Sequence, residues 1–167
     1  MIEIEESGVV FGPFEDDSVF QIEKSKFLPR NVKPVEFAWI PPAGDKLVLV
    51  EAKSSFSKPS NENDFNKNLH EIYTKLVDSL TILITTKVGR HSEIDHELPA
   101  QFQTLSWDEV TIHLRLVIPT FEKNWLPPIT DALRVRLKHF LASFGISNMN
   151  FQVLNEELAL KQKLLKD

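Results

Sequence analysis

The sequence predicts a mixed α/β domain of the α+β kind, a mixed β-sheet flanked by helices. Three observations predict it. Residues 35–40 and 46–52 are β-rich runs separated by Pro41-Pro42-Ala43-Gly44-Asp45, which reads as strand, turn and strand. Residues 64–84 carry Phe65, Leu69, Ile72, Leu76, Leu80 and Leu83 on one helical stripe. From Thr111 onward the apolar periodicity alternates strand, helix, strand, helix.

Taken in order, residues 9–14 and 18–24 are short apolar-rich runs on either side of Glu15-Asp16-Asp17. They read as two strands around a turn; Ser18 with Gln21 offers the alternative of a capping box opening a short helix. The hairpin follows, and then a polar loop over residues 55–63, broken by Pro59. After the long helix, residues 87–105 are rich in turn-forming and charged residues and predict a long surface loop. Residues 111–118 alternate Ile112, Leu114, Leu116 and Ile118 against Thr111, His113 and Arg115, a strand that Pro119 ends. Pro127-Pro128 can open a helix. That helix carries Ile129, Leu133, Leu137, Phe140, Leu141 and Phe144 on one side and stops at Gly145. A last strand over 150–154 and a helix over 156–165, capped by Asn155, complete the chain. The expected core is Phe37, Val48, Val50, Leu69, Ile72, Leu76, Leu80, Leu114, Leu116, Leu133, Leu137 and Leu141.

The 167 residues suit a single domain, 1–167. A content of 42% hydrophobic and 26% charged residues is that of an ordinary globular protein, and no apolar run is long enough to span a bilayer. The first six residues are acidic and lack the basic region of a signal peptide. The absence of cysteine excludes disulfides and thiolate zinc sites and suits a reducing compartment, so the expected location is cytoplasmic, with no membrane partner. A net charge of −5 weighs against coating nucleic acid by bulk electrostatics, yet a carboxylate-rich metal site would itself lower the charge. Lys24, Lys26, Arg30 and Lys33 form one basic cluster. Arg134, Arg136, Lys138 and His139 form another, whose members cannot share one helix face. No glycine-rich phosphate loop and no Gly-x-Ser-x-Gly occurs, which removes kinase, nucleotide hydrolase and serine hydrolase readings.

The chemistry concentrates in the hairpin. Leu47-Val48-Leu49-Val50 is followed directly by Glu51-Ala52-Lys53. Charges cost free energy to bury unless they are paired or hold a metal. Glu51 and Lys53 point to one face of the strand and Ala52 to the other. If Ile40 pairs with Leu47 around the turn, Glu36 falls opposite Glu51 on that same face. Two carboxylates so placed repel each other, and a divalent cation between them reverses the sign; Mg²⁺ suits such a place. Lys53 would then neutralise a phosphate oxygen or hold a water as hydroxide, which completes the parts for phosphodiester hydrolysis. An acidic residue two positions before a lysine is expected roughly two or three times by chance. It occurs once, so its placement at the end of the most apolar strand carries the argument.

Pro34-Val35-Glu36 and Glu51-Ala52-Lys53, with a helix following, resemble the PD-(D/E)XK nuclease superfamily. The resemblance covers residues 19–84. It implies a restriction-endonuclease-like core, dependence on Mg²⁺ or Mn²⁺, and hydrolysis of phosphodiester bonds of nucleic acid, DNA ahead of RNA. It also implies Glu36, Glu51 and the backbone carbonyl of Ala52 as metal ligands, with Glu36, Glu51 and Lys53 as the catalytic set. Glu36 stands where aspartate is usual, and one residue separates it from the proline. Glu23 is the candidate for a further carboxylate, and His70, one position past Leu69, is another residue able to approach the site. A domain this small cuts two strands most simply as a homodimer or with a partner subunit.

Three other readings compete. The same fold without catalysis would serve as an interaction or accessory subunit. A plain scaffold predicts that Glu36, Glu51 and Lys53 do not converge. Glu51 and Lys53 can also be a strand end emerging into solvent, with Ser54 and Ser55 leading into the loop. His91, Glu93, Asp95, His96 and Glu97 match no strong ligand spacing and read as a solvated loop. Trp39, Trp107 and Trp125 read as packing residues.

Overall fold

A computed structural model describes residues 1–167. The hairpin lies at the centre of the fold. β4 (Phe37–Trp39) and β5 (Lys46–Ala52) are antiparallel, with Phe37 opposite Val50, Ala38 opposite Leu49 and Trp39 opposite Val48. This is the register that puts Glu36 across from Glu51. β3 (Val19–Phe20) adds an antiparallel strand at one edge. β6 (Thr111–Val117) and β7 (Phe151–Leu154) extend the other side in parallel, giving the order β3-β4-β5-β6-β7. The two parallel steps are crossed by α1 (Glu62–Lys87) and α4 (Leu126–Ser143), as parallel neighbours require a crossover. The chain is thus a mixed α/β fold.

Alternation along the strands divides the interior into two cores. Leu47, Leu49, Leu114, Leu116, Phe151 and Val153 face the helical side, where Leu69, Ile72, Leu76 and Leu80 of α1 meet Leu133, Leu137 and Leu141 of α4. Phe37, Val48, Val50, Val117 and Leu154 face the other side. There they meet a separate hairpin, β1 (Ile2–Glu6) and β2 (Val9–Phe14), and α5 (Glu156–Lys161). Every residue of the expected core is buried. The tail returns to the N-terminal hairpin: Gly12 N–H donates to Leu164 C=O, Lys166 N–H donates to Val10 C=O, and Leu165 bridges Phe11.

Helix limits follow local chemistry. Pro127 and Pro128 sit in the first turn of α4, and Gly145 follows its end with φ +65°. The Asn155 side chain accepts from Leu158 N–H and caps α5. The last helix ends at Lys161 rather than at residue 165, because the chain turns there to reach β2, and three further segments differ from or add to the sequence expectation. Residues 18–24 form the two-residue β3 and then a 3-10 turn, Ile22–Lys24. The acidic N-terminus is a strand, β1, because Ile4 packs inward while Glu3 and Glu5 face water. Residues 87–105 are not a surface loop: they contain α2 (Ser92–Glu97) and α3 (Ala100–Thr104). Ile94, Leu98 and Phe102 are buried against the main core, so burial overrides the polar composition. The acidic and histidine residues of α2 lie on its outside. Asp95 pairs with Lys87 at 2.9 Å, and Glu97 accepts from Ser25 Oγ and Lys26 N–H.

Phe102→Ala should therefore lower the free energy of unfolding by about 3–5 kcal/mol, the cost of emptying a filled aromatic site. Urea denaturation measures it; a loss below about 1 kcal/mol would return this segment to the surface.

Candidate metal centre

Two elements position the acidic pair. β5 delivers Glu51 at its inner end, 2% exposed on the helical face. The strand does not leave the core there. The chain entering β4 is held on α1: Lys33 N–H donates to Asp78 Oδ2 and Val35 N–H donates to the buried Ser79 Oγ at 2.7 Å. These contacts fix Glu36, 7% exposed, just ahead of β4.

α1 supplies the cation between them. Lys75 Nζ lies 2.6 Å from Glu51 Oε1 and 3.9 Å from Glu36 Oε1. Both carboxylates thus flank one ammonium. One turn earlier on α1, Glu71 pairs with Lys53 at 3.1 Å. Two ion pairs of opposite sense therefore join α1 to the β5 end: Lys75 to Glu51, and Glu71 to Lys53. Glu6 and Glu23 extend the acidic group, with carboxylate oxygens of Glu6, Glu23 and Glu36 all within 4.8 Å of one another.

The charges do not balance. Burial pushes Glu51 up to about 7, although the hydrogen bond and charge of Lys75 and the charge of Lys53 work the other way. Burial also pushes Glu36 up to about 8, reinforced by the charges of Glu51, Glu23 and Glu6. Burial works against the Lys75 ammonium, but the hydrogen bond and charge of Glu51, with Glu36 and Glu71, outweigh it and raise its pKa. One ammonium thus serves two buried carboxylates, and the second oxygen of Glu51, Oε2, is buried with no hydrogen-bond partner. An orphaned carboxylate oxygen beside a second carboxylate fits a divalent cation, which would satisfy both.

The residues singled out in the sequence are distributed as follows. Glu36 and Glu23 come together with Glu6, and Glu51 meets Glu36 through Lys75; Lys53 lies on the same strand face and turns to Glu71; Ala52 is buried, with its side chain in the opposite core. His70 is exposed and lies outside the carboxylate group. It lines a groove of about 700 Å³ with Lys33, Lys67, Glu71 and Arg136. No apolar side chain lines this groove, and Lys33, Lys67 and Arg136 form no ion pair, so three free cations border Glu71 and hence the acidic centre. Sequence reasoning missed Lys75, Glu6 and this groove. Arg134 and Arg136 do point apart: Arg134 holds the carbonyls of Asn148 and Phe151, while Arg136 donates to Asn66. Trp39 packs on Phe14 and Trp107 donates to Phe102 C=O, whereas Trp125 is 42% exposed beneath Lys58. No helix is long and apolar enough to cross a membrane.

No family model matches the chain, and no curated protein or solved structure shows significant similarity to it.

The raised acids give the metal-free protein a definite pH response. Carboxyls near 7 and 8 in the folded chain, against an ordinary 4.5, stabilise the fold fully below about pH 4.5. That contribution is lost as pH rises through 7 and 8, on the order of a few kcal/mol. Urea midpoints measured in chelator should fall from about pH 5 to about pH 8, and Glu51→Gln should flatten the fall. An unchanged slope in the variant contradicts the assignment.

Proposed function

We propose that this chain is a metal-dependent nuclease of the PD-(D/E)XK kind, hydrolysing phosphodiester bonds of nucleic acid, DNA being the first substrate to test. The observation that carries the reading is the pair of buried carboxylates, Glu36 and Glu51, opposed across β4 and β5 with Glu51 Oε2 unpartnered. Glu36 and Glu51 would hold Mg²⁺ or Mn²⁺, with the backbone carbonyl of Ala52 as a further ligand by resemblance. When bound, the ion lowers the pKa of a water and stabilises charge on the phosphate. Lys53 contributes the positioned ammonium that orients the attacking water and steadies the scissile group. Glu71 keeps that ammonium on the strand face beside Glu51. Lys75 is the counter-charge of the metal-free site, where it prevents two buried carboxylates from facing each other bare.

The groove supports a polyanionic substrate. Lys33, Lys67 and Arg136 come from three separate segments and converge on one polar surface next to Glu71. Free cations so placed suit phosphate contacts, which position a strand without reading its sequence.

One observation favours a second reading, a catalytically inactive nuclease-fold protein acting as an accessory subunit. Glu51 and Lys53 both have internal partners, Lys75 and Glu71, so the core stands without an ion.

A cleavage assay on single- and double-stranded DNA and RNA with Mg²⁺ or Mn²⁺ separates the two. The expected result is metal-dependent cleavage that drops about 10²–10³-fold in Lys53→Ala, together with Mn²⁺ binding that is lost in Glu51→Ala. Absence of cleavage selects the inactive subunit; Mn²⁺ bound equally by Glu51→Ala overturns the metal site and with it the nuclease reading. The double variant Lys67→Glu/Arg136→Glu should weaken nucleic-acid binding and reduce its salt slope by roughly one per lost phosphate contact, with Mn²⁺ affinity retained. An unchanged slope removes the groove from the substrate path.

A further inference from the structure

The opposite face of the sheet holds a buried charge that the acidic centre does not use. Arg115, on β6, is 8% exposed and has no carboxylate within ion-pair distance. A guanidinium buried without a counter-charge is expensive. Its donors go to neutral groups. Nε donates to Gln162 Oε1 at 2.8 Å, and Nη1 to the carbonyls of Leu114 and Asn150 at 3.0 and 2.6 Å. Nη2 makes one long contact, 3.3 Å, with His113 Nδ1. Of five N–H groups, four are committed, and the one left over is on Nη2.

Arg115 and His113 line a cavity of about 410 Å³ bounded by Trp39, Pro41, Lys46 and Lys163 among others. Around it stand three permanent cations, Arg115, Lys46 and Lys163, against a single carboxylate, Asp45. His113 does not supply a fourth. Burial, then Arg115 and Lys46, push it down to about 4, so it is a neutral acceptor at ordinary pH. The excess of two positive charges matches a dianion. A phosphate monoester carries close to two negative charges at neutral pH, where a carboxylate carries one, and its oxygens can accept the N–H that Nη2 has left. The cavity is larger than a bare phosphate needs and lies within the range that holds small organic ligands, with the Trp39 ring and Pro41 as an apolar wall.

We propose that this cavity binds a small phosphate monoester, with its phosphate on Arg115, Lys46 and Lys163 and its organic part against Trp39. The site is on the face of the sheet remote from Glu51 and is independent of the nuclease reading. Lys46 and Lys163 are exposed at the rim, so they can be changed without disturbing the core.

NMR titration of the chelated wild-type protein with inorganic phosphate, phenyl phosphate and acetate tests this. Saturable shifts of the His113 ring and Trp39 indole signals are expected with phosphate, at lower concentration with phenyl phosphate, and at no less than about tenfold higher concentration with acetate. Lys163→Glu should weaken phosphate binding at least about fivefold with an unchanged unfolding midpoint, and Arg115→Gln should abolish it. Shifts that never saturate, or that persist in Lys163→Glu, overturn the proposal. Binding lost in Lys67→Glu/Arg136→Glu but kept in Lys163→Glu moves the anion to the groove and also overturns it. Equal affinity for acetate replaces the monoester by a carboxylate ligand and refutes the assignment of class.

Discussion

The contact on which the acidic centre depends is the single ammonium of Lys75 held between Glu51 and Glu36. Strand pairing brings the two acids together, because the β4–β5 register leaves no freedom to separate them. With both ionised and unattended, their mutual repulsion in a nearly dry site would oppose the hairpin that forms the middle of the sheet. The long helix meets this demand while packing its apolar stripe on the same face. Ile72, Leu76 and Leu80 seat the helix, and Lys75 and Glu71 fall one turn apart along its edge. The helix is thus both the cover of the sheet and its electrostatic complement.

The same strand periodicity explains why charge is buried on both faces. On β5, odd-numbered positions carry Leu47, Leu49 and Glu51 toward the helices. On β6, Arg115 lies beside Val50 and turns with it to the other side, where the N-terminal hairpin and α5 form a thinner cover. The Gln162 and His113 side chains and the carbonyls of Leu114 and Asn150 hold that guanidinium in place, but none cancels its charge. The sheet therefore separates a region short of positive charge from one short of negative charge.

Much of the frame was legible in the sequence because it rests on local rules. Alternation decided which face Glu51 and Lys53 share, turn length set the register, and the stripe from Phe65 to Leu83 marked the helix. Lys75 was not legible as a partner of Glu51, since nothing local states how a helix rotates over a sheet. Glu6 was hidden for a related reason: a strand of alternating Ile and Glu at the N-terminus reveals nothing of where its last carboxylate docks. The groove cations at 33, 67 and 136 are far apart in sequence and meet only after both crossovers are made. The short helices of residues 92–104 did leave a signal, the four-residue spacing of Ile94, Leu98 and Phe102, which Pro99 and the surrounding charges obscured.

The segment 164–166 that lies along β2 ties the C-terminal part of the fold to its first hairpin. A two-stranded hairpin by itself is marginally stable in water. The β1–β2 hairpin gains its third partner only when Leu164, Leu165 and Lys166 arrive. Glu6, at the end of β1, reaches Glu23 and Glu36 through that hairpin. The acidic centre is thus coupled to the docking of the C-terminal segment, because that segment completes the hairpin that carries Glu6. Loosening residues 164–166 would therefore loosen the Glu6 end of the carboxylate cluster while leaving the five-stranded sheet paired.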